Sequence, residues 1–450
     1  MSSDRYDVLI LGGGNAGMGV TVPTRKAGLS VALVEDRELG GTCPNRGCTP
    51  KKILVAAGQA LDEIARASGL CIAVGKPRLD WAALIDREKT MISHLPDSFA
   101  KTLADRGVEV LHERAVFAGR KAVRVGSRVI EANNIVIATG SKPRTLPIEG
   151  AEHMITSDDI LSERAQPGDV VFVGGGVIAF EFAHLYARAG TKVTILEVLP
   201  RFLPALDEDA VAQLTRESER IGIALTTKVK VKRIAPRGGR FVVSYEHDGA
   251  ERTIEADRVV NGAGRVADVD KLDLEAGNVR LRDGRIELDD YMRSASNPAV
   301  HVCGDALWTS PQLSPIATYE GRIVGRNIVE GLKEKPDYSA IPSCVYTVPA
   351  LASVGMTEAK AKESGRKIKV ETNDISHWMS ARTYNESAGW AKVIIDETSD
   401  RILGAHLFGH SGEELIHIFA FAMRFGITAN DIRDTIYAYP TFSNDIKSMV

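Results

Sequence analysis

Short apolar runs, glycine-rich turns and helix-length stretches alternate along the first part of the chain. Residues 8–11 form one apolar run, the sequence Gly-Gly-Gly-Asn-Ala-Gly follows at 12–17, and a helix-compatible stretch leads to Gly28. The next apolar run, 31–34, ends at Glu35. A strand, a helix and a second strand in this order predict a βαβ unit with Gly-x-Gly-x-x-Gly at its first turn.

A second unit of the same kind lies in the middle of the chain. An apolar run at 170–173 leads into Gly-Gly-Gly-Val-Ile-Ala at 174–179, and after the helical stretch 180–189 a further apolar run, 193–196, ends at Glu197. In both units the first glycine precedes the glutamate by 23 positions, from 12 to 35 and from 174 to 197. Repetition of one supersecondary unit predicts two dinucleotide-binding domains.

Other apolar runs predict the strands that complete these domains, and a third domain after them. The runs that end in a glycine-containing turn lie at 135–140, 259–264 and 300–305. After about residue 336 the pattern changes, and strand-like runs at 343–348 and 390–395 precede a helix-like stretch at 412–425. We therefore expect an α/β fold with two Rossmann-like dinucleotide-binding domains, followed by a C-terminal α+β domain.

Composition and charge narrow the function classes. Apolar residues make up 44% and charged residues 26%, which excludes a disordered or collagen-like chain. Lys plus Arg number 56 and Asp plus Glu 59, so the net charge of −3 indicates neither a nucleic acid nor an anionic membrane as partner. Because no apolar run reaches the ~18 to 20 residues of a membrane span and the N-terminus does not resemble a signal peptide, we expect a cytoplasmic protein.

The first glycine turn has the chemistry of a pyrophosphate site. Gly12 permits the tight turn, Gly14 lets a phosphate approach the backbone, and Gly17 lets the helix pack closely on the strand. The amides of the helix N-terminus favour the anion, and Glu35 can accept hydrogen bonds from a ribose diol. The alternative is a glycine-rich turn that binds nothing.

The second turn carries Gly174 and Gly176 in the same places, with Ala179 at the third small position. Glu197 suits the free 2′-hydroxyl of NAD and repels a 2′-phosphate, whereas Arg201, four residues later, would favour the phosphate. We therefore expect NADH rather than NADPH. The alternative for Glu197 is a solvated acid at the end of a strand.

Two of the five cysteines, Cys43 and Cys48, are separated by four residues. Two thiols so close indicate redox or metal chemistry rather than a structural disulfide in a reducing compartment. Pro50 suits the first turn of a helix that starts near Cys48, and this helix N-terminus, with Arg46 nearby, would lower the pKa of Cys48. The alternatives are half of a metal site or two inert thiols. No second Cys or His pair stands at zinc spacing, so we expect no metal.

The segment 40–52, Gly-Gly-Thr-Cys-Pro-Asn-Arg-Gly-Cys-Thr-Pro-Lys-Lys, resembles the redox-active disulfide region of the pyridine nucleotide-disulfide oxidoreductases. Both glycine turns, Ala138-Thr139-Gly140, Gly304-Asp305 and the segment 313–317 extend the resemblance over nearly the whole chain. It implies a homodimeric FAD enzyme that takes electrons from NADH or NADPH. The implied domains are an FAD-binding domain at 1–145 and 268–335, an NAD(P)-binding domain at 146–267 and a dimerisation domain at 336–450.

The resemblance also implies a role for individual residues. Cys43 and Cys48 would form the redox disulfide, with Cys48 as the charge-transfer thiolate near the flavin and Cys43 as the interchange thiol. Lys52 would lie beside the flavin N5 and pair with Glu181, the alternative being an ordinary surface ion pair. Asp305 would bind the flavin ribitol. The expected cofactor-binding residues are Gly12, Gly14, Gly17, Glu35, Thr42, Lys52, Thr139, Gly140, Gly174, Gly176, Glu197, Gly264, Asp305 and Ala317.

The chain departs from the family pattern near its C-terminus. Glutathione and lipoamide enzymes carry a His-x4-Glu pair that protonates the leaving thiol across the dimer interface, whereas this sequence has Tyr439 and Asn444 there. With an unperturbed pKa near ~10, Tyr439 is a poor base at neutral pH, but it can donate a proton or pack at the interface. Either the acceptor has a good leaving group, or Tyr439 or another residue substitutes, or thiol exchange is not the physiological reaction. The histidines expected on the surface or in the core are His406, His410 and His417.

We therefore expect an FAD-dependent NAD(P)H:disulfide oxidoreductase that passes hydride through FAD to the Cys43–Cys48 disulfide. The acceptor would be a small-molecule disulfide, with a role in cell redox homeostasis. Val22-Pro23 stands where glutathione reductases hold substrate with an arginine, which argues against glutathione. No cysteine follows Cys344, which argues against subtypes with C-terminal redox groups. The alternatives are a flavoprotein reductase of a quinone, a metal ion or oxygen, and a catalytically weak redox sensor.

Overall fold

A computed structural model of the chain describes residues 4–450, which divide into two compact units. The first unit contains the residues up to 51 together with 86–144 and 265–337, and the second contains 52–85, 145–264 and 338–450. Within the described residues, no helix combines the length and apolarity that spanning a bilayer requires.

The core of the first unit is a sheet whose apolar runs are buried on both faces, as is typical of parallel strands covered by helices. The parallel strands follow the order β3-β2-β1-β6, with β18 also paired to β6, and the antiparallel strands β5 and β4 extend the sheet. The strands of this unit are β1 (Asp4–Leu11), β2 (Val31–Val34), β3 (Glu109–Leu111), β4 (Ala115–Gly119), β5 (Ala122–Val125), β6 (Arg128–Ile137), β7 (Ser141–Pro143), β15 (Arg265–Ala267), β16 (Leu281–Arg282), β17 (Arg285–Ile286) and β18 (Val300–Val302). Its helices are α1 (Asn15–Lys26), α2 (Thr42–Arg46), α5 (Leu95–Asp105) and α9 (Ser314–Glu330); α3 (Cys48–Arg66) and α4 (Trp81–Ile92) each continue from one unit into the other.

The second unit contains a four-stranded parallel sheet of order β10-β9-β8-β14, a three-stranded antiparallel sheet and a five-stranded antiparallel sheet of order β19-β20-β23-β22-β21. Its strands are β8 (Asp169–Val173), β9 (Lys192–Leu196), β10 (Ala224–Thr226), β11 (Lys230–Arg237), β12 (Arg240–His247), β13 (Ala250–Ala256), β14 (Arg258–Asn261), β19 (Ser343–Val345), β20 (Ala350–Gly355), β21 (Ile368–Asp374), β22 (Trp390–Asp396) and β23 (Ile402–Gly409). Its helices are α6 (Ser157–Ile160), α7 (Val177–Arg188), α8 (Glu208–Arg220), α10 (Glu358–Glu363), α11 (Met379–Thr383), α12 (Gly412–Phe425), α13 (Ala429–Asp434) and α14 (Phe442–Asp445).

The predicted fold class is confirmed. Two parallel sheets each carry a glycine turn after their first strand, and an antiparallel sheet with α12 on it forms the C-terminal part. The structure reproduces the predicted bounds of β2 and α12 and the predicted start of α3 at Cys48. The run at 343–348 is shorter than predicted, because β19 ends at Val345.

Helices α1 and α9 of the first unit pack against each other at glycines. A Cβ on Gly19 would lie 2.6 Å from the carbonyl oxygen of Thr318, and one on Gly321 would lie 2.1 Å from that of Ala16. Gly325 is similarly crowded, by the ring of Pro23 and the carbonyl oxygen of Val20. The two helix axes can therefore approach this closely only because these positions lack side chains.

Candidate active site

The first glycine turn connects β1 to α1 and is shaped by its neighbours. Gly12 has a φ of +118°, and a Cβ there would lie 2.2 Å from the carbonyl oxygen of Ala138. A Cβ on Gly17 would lie 2.1 Å from the carbonyl oxygen of Gly12. At Gly14 the nearest atom to a Cβ is 3.7 Å away, so this position leaves space beside the helix N-terminus. These are the three uses of glycine that a pyrophosphate site requires.

Glu35 directly follows β2, and its carboxylate is fixed by backbone N–H groups. Oε2 accepts a hydrogen bond from Gly13 at 2.8 Å, and Oε1 accepts one from Arg37 at 2.9 Å. A carboxylate held in this way has lone pairs left for a ribose diol. The arrangement agrees with the expected role of Glu35, which stays a prediction.

Apart from Lys52, which belongs to the second unit, the remaining residues expected at the FAD also lie in the first unit. The hydroxyl of Thr139 is buried and has no hydrogen-bond partner among the described residues, which fits a group that the cofactor would satisfy. Asp305 accepts a hydrogen bond from the hydroxyl of Ser141 at 2.8 Å, and burial raises its pKa. Gly140 has a φ of +71° with open space around it, and Ala317 is buried near Gly304. With Thr42 at the start of α2, these residues fit FAD, whose flavin supplies two-electron chemistry when bound.

Sequence reasoning missed Glu320, which is fully buried in α9. Its carboxylate accepts a hydrogen bond from the backbone N–H of Gly304 at 2.7 Å, immediately before Asp305. A buried carboxylate that holds the Gly304-Asp305 turn is a support for the cofactor site. The acid stands in the middle of an otherwise helical pattern, and no local signal separates it from a surface glutamate.

The second glycine turn repeats the first within the second unit. Gly174 has a φ of +101°, and a Cβ there would lie 2.6 Å from the backbone of Ala263. The carboxylate of Glu197 accepts hydrogen bonds from the backbone N–H groups of Gly175 at 2.6 Å and Leu199 at 2.8 Å. Beside this turn, Gly176 precedes α7, and Gly264 has a φ of +90° with nothing within contact distance. This geometry fits a nicotinamide dinucleotide.

Cys43 lies in α2, and Cys48 is the first residue of α3. Both are free thiols; Cys48 is exposed and Cys43 is half-buried. Cys43 accepts hydrogen bonds from Cys48, from the hydroxyl of Ser314 and from the amide of Asn15, and these outweigh burial and lower the pKa of Cys43 to about 6. The nearby cation Arg46 forms an ion pair with Glu38 at 2.8 Å. Of the two thiols, Cys43 is therefore the one whose pKa lies below its ordinary value, and the lowered pKa expected for Cys48 stays a prediction.

The prediction of an ion pair between Lys52 and Glu181 is wrong. The ammonium of Lys52 lies 3.3 Å from Glu413 and 4.4 Å from the ring centre of Tyr346, and its side chain is 47% exposed. Glu181 accepts a hydrogen bond from the backbone N–H of Tyr346 at 2.8 Å. Adjacent residues of a helix point about 100° apart, so Lys51, which is only 9% exposed, is the lysine of this pair that faces inward.

Near the C-terminus, Tyr439 is 76% exposed and Asn444 is buried at the end of the same segment.

Among the three histidines, His406 is buried, with hydrogen bonds to Ser353 and Met356, and His417 is exposed. His410 lies between these cases, because it is partly exposed and its Nδ1 is 2.8 Å from Glu386. The expectation that the histidines lie on the surface or in the core agrees with His406 and His417, and His410 forms an ion-pair contact at the surface.

A cavity of about 230 Å³ opens in the first unit between α1, α5 and α9. Asn15, Val22, Phe99, Arg106 and Arg322 are among the residues that line it. Asn15 is hydrogen-bonded to the sulfur of Cys43, so the cavity adjoins the redox thiol. The pattern of the sequence did not predict this cavity, because its walls come from three helices far apart in the chain.

Comparison with known proteins agrees with this geometry. Residues 6–321 match the family model described as pyridine nucleotide-disulphide oxidoreductase, and residues 341–450 match the dimerisation domain of that family. The dihydrolipoyl dehydrogenase of Chlorobaculum tepidum is 32% identical over 98% of this chain and 96% of its own length. The mercuric reductase of Bacillus cereus is 28% identical over 99% of this chain and 71% of its own length.

Solved structures give the same result. The HOCl-induced flavoprotein disulfide reductase RclA from Escherichia coli, in a Cu(II) complex, is similar with a TM-score of 0.88 and 29% sequence identity, over 98% of this chain and 99% of that chain. The fold, the two nucleotide turns, the pair of thiols and the family matches therefore lead to one conclusion. The chain belongs to the pyridine nucleotide-disulfide oxidoreductases, FAD-dependent enzymes that use NAD(P)H and act on sulfur groups, and it carries the family's dimerisation domain.

Proposed function

We propose that this enzyme uses NADH to reduce a small-molecule disulfide that carries a negative charge, through bound FAD and the Cys43–Cys48 pair. The observation that carries the proposal is the cavity beside Asn15, which adjoins Cys43 and is lined by two arginines. The proposal includes the homodimer, the three-domain division given by the sequence and the roles of the expected site residues. Lys51, which is buried, replaces Lys52 beside the flavin in this assignment.

The two arginines of the cavity differ in what holds them. Arg106 donates hydrogen bonds to the hydroxyl of Thr21 at 2.8 Å and to the carbonyl of Met18 at 3.2 Å. Arg322 is exposed and has no hydrogen-bond or ion-pair partner among the residues that the structure describes. A guanidinium without a carboxylate partner at the wall of a cavity favours a carboxylate or phosphate group on the ligand. A volume of about 230 Å³ suits a small molecule or one arm of a larger one.

The thiol chemistry follows from the state of Cys43. Its thiolate attacks one sulfur of the acceptor, so a Cys43–acceptor disulfide forms while the acceptor's own S–S bond breaks and its second sulfur leaves as a thiolate that takes up a proton. Cys48, which contacts Cys43, then attacks the mixed disulfide and releases the second thiol. Two electrons pass from the dithiol to the acceptor, and the Cys43–Cys48 disulfide is restored for reduction by NADH.

The preference for NADH is supported by Glu197 and Arg201. Glu197 is only 8% exposed and its carboxylate is fixed by two backbone N–H groups, so it cannot easily turn away from a 2′-phosphate. Arg201 donates a hydrogen bond to the carbonyl of Leu206 at 3.1 Å and is held away from a role as a phosphate ligand. A fixed carboxylate whose neighbouring Arg201 is bound to backbone carbonyls favours the 2′-hydroxyl of NADH.

The test compares lipoate with lipoamide, two acceptors that differ only in a charge, each assayed with NADH and NADPH. We expect a higher kcat/KM for lipoate and for NADH. The Arg322→Gln variant should lower kcat/KM for lipoate about tenfold and leave lipoamide unchanged, since a charge-assisted hydrogen bond contributes about 1.5 kcal/mol. Arg280→Gln, an exposed arginine of the same unit outside the cavity, is the control. Equal rates with both acceptors and no effect of Arg322→Gln would contradict the proposal.

A second acceptor, a thiophilic metal ion, is favoured by two comparisons. The similar RclA structure is a Cu(II) complex, and the similar enzyme from Bacillus cereus is a mercuric reductase. The described residues contain no cluster of three or more His, Cys, Asp or Glu side chains that could hold an ion, so the Cys43–Cys48 dithiol is the site this candidate requires. NADH oxidation by Cu(II) that exceeds the rate with disulfides and is abolished in Cys43→Ser would favour the metal ion as acceptor.

A further inference from the structure

We propose that Arg265 and Ser141 are positioning residues for FAD, which hold the carboxylate of Asp305 in the orientation that binds the flavin ribitol. The inference deepens the proposed function and rests on it, because it takes Asp305 as the ligand of the ribitol chain. Neither Arg265 nor Ser141 belongs to the expected site. Both act through Asp305 rather than on the cofactor itself.

The three side chains form one chain of hydrogen bonds with a fixed direction. The guanidinium of Arg265 donates from Nε to the hydroxyl oxygen of Ser141 at 2.9 Å, and from Nη2 to the carbonyl oxygen of the same residue at 2.6 Å. The hydroxyl of Ser141 donates to Oδ2 of Asp305 at 2.8 Å. A guanidinium cannot accept a hydrogen bond and a carboxylate cannot donate one, so the single proton of the hydroxyl must point at Asp305. The order is therefore cation, hydroxyl, carboxylate.

A short antiparallel ribbon brings Arg265 to Ser141. Strands β7 and β15 pair with Ala267 directly opposite Ser141. Residues two apart in a strand lie on the same face, so Arg265 is the diagonal neighbour of Ser141, at a distance that a long side chain can span. Strand β15 also packs against the turn Gly304–Ala306, which carries Asp305. The ribbon therefore holds both donors beside the carboxylate.

The two donors offset the cost of burying the charge of Asp305. Burial raises the pKa of Asp305, whereas the hydrogen bond from Ser141 and the positive charge of Arg265 lower it. Among the described residues, no donor is bonded to Oδ1 of Asp305, so this oxygen keeps its lone pairs for the hydroxyl groups of a polyol chain. A carboxylate that is fixed through one oxygen loses less freedom when the other binds a ligand.

The next residue of β7 supplies a matched control. Side chains alternate along a strand, so Lys142 points to the face of the ribbon opposite Ser141. Its ammonium lies 3.3 Å from Asp268 and also pairs with Asp270. Lys142→Gln removes one cation and its ion pairs from the ribbon, as Arg265→Gln does, but leaves the hydrogen bond to Asp305 in place.

The experiment measures how fast FAD leaves the holoenzyme. The loaded enzyme is strongly diluted, and the FAD released with time is separated by rapid ultrafiltration and quantified by its fluorescence. Arg265→Gln and Ser141→Ala should each raise the release rate about fivefold, the factor that one hydrogen bond contributes. Ser141→Thr keeps the hydroxyl on a side chain suited to a strand, so it should release FAD at the rate of the unsubstituted enzyme. Lys142→Gln should also leave the rate unchanged.

The double variant Ser141→Ala, Arg265→Gln tests whether Arg265 acts through Ser141. If it does, the double variant should release FAD about as fast as Ser141→Ala alone, whereas independent effects would multiply to about 25-fold. If Arg265→Gln fails to fold with FAD, the comparison of Ser141→Ala with Ser141→Thr decides the question. Equal release rates in those two variants, multiplied effects in the double variant, or an equal effect of Lys142→Gln would each overturn the inference.

The release of FAD requires neither NADH nor an acceptor, so its outcome is separate from that of the proposed function. Faster release in Ser141→Ala and Arg265→Gln, together with equal rates for lipoate and lipoamide, would overturn the acceptor and retain this inference. Unchanged release together with a strong preference for lipoate would overturn this inference and retain the acceptor.

Discussion

Lys392 is a buried positive charge in the middle of β22. Its side chain is 2% exposed, and its ammonium lies 3.0 Å from Asp207, 2.5 Å from Asp209 and 2.7 Å from Glu358. Burial alone would lower its pKa, but the hydrogen bonds that Lys392 donates to these carboxylates raise the pKa of Lys392 above the ordinary value. A buried ammonium is tolerated only when it is paired in this way, so each partner depends on the others.

Replacement of Lys392 by Met should therefore destabilise the protein by about 3–5 kcal/mol, because it leaves Asp207 buried without a cation. Lys369→Met is the control, since Lys369 forms an ion pair with Glu371, both on β21 next to β22, but the Lys369 side chain is 53% exposed. Lys369→Met should lower the free energy of unfolding by less than about 1 kcal/mol. Urea unfolding at pH 7 measures both, and equal losses in the two variants would show that the burial of Lys392 does not matter.

The same cluster predicts a response to acid. Burial would raise the pKa of Asp207, but the nearby His406 and hydrogen bonds from Lys392 and from the backbone of Glu358 lower it. Hydrogen bonds from Lys362 and Lys392 lower the pKa of Glu358. Depressed carboxylate pKa values stabilise the folded state above the unfolded pKa values of about 4, and this contribution is lost as pH falls below them. Lowering the pH from 7 to 3.5 should therefore reduce the free energy of unfolding less in Lys392→Met than in the unsubstituted protein. Urea unfolding at both pH values measures this difference.

Single residues could be predicted from the sequence where the signal is local. Gly12 and Glu35 belong to one short βαβ unit, so spacing alone located them. The contact between Asn15 and Ser314 could not be predicted, because 299 positions separate the two residues and each is an ordinary polar residue at a helix start. The predicted pairing of Lys52 with Glu181 failed for a related reason, since one step along a helix changes which side chain is buried.

At the scale of elements, hydrophobic periodicity predicted strands and helices well and their contacts poorly. β2 and α12 have the predicted bounds because each is bounded by turn or cap residues. The pairing of β18 with β6, which brings the Gly304-Asp305 turn beside Thr139, depends on tertiary packing that no local pattern contains. The close contact of α1 with α9 is likewise visible only once the helices are placed.

The α1–α9 contact predicts the effect of a single methyl group. Gly321→Ala would place a Cβ 2.1 Å from the carbonyl oxygen of Ala16, so we expect a loss of about 1–3 kcal/mol in stability and weaker retention of FAD. Gly58→Ala in α3 is the control, because a Cβ there would meet only Leu185 at 3.6 Å and alanine favours the helix by up to about 1 kcal/mol. Thermal unfolding and the flavin-to-protein absorbance ratio measure both effects. Retention of full stability in Gly321→Ala would mean that the helices can separate without cost.

At the scale of the whole molecule, the family and its chemistry were predictable from motifs, while the acceptor was not. The motifs report the shared electron path, whereas the proposed acceptor depends on Arg106 and Arg322, which line the cavity. These residues form no sequence motif. Their role depends on the side chains around them, which only the three-dimensional structure shows.

The dimerisation domain leaves a large apolar face on α12 exposed in one chain. Phe421 and Phe425, one turn apart, are 59% and 73% exposed, with ring centres 6.4 Å apart. Two such rings side by side on a surface are costly in water unless another chain covers them. In a symmetric dimer each substitution acts twice, so removing both rings forgoes the burial of four side chains, about 6–12 kcal/mol.

We therefore expect the double variant Phe421→Asp, Phe425→Asp to be a folded monomer, because both side chains lie outside the core of the single chain. Light scattering coupled to gel filtration should give half the mass of the unsubstituted protein, with an unchanged far-UV circular dichroism spectrum. Leu281→Asp, which introduces the same charge at a 50% exposed position of the first unit, should remain a dimer. A dimeric double variant would show that the exposed face of α12 is not part of the interface.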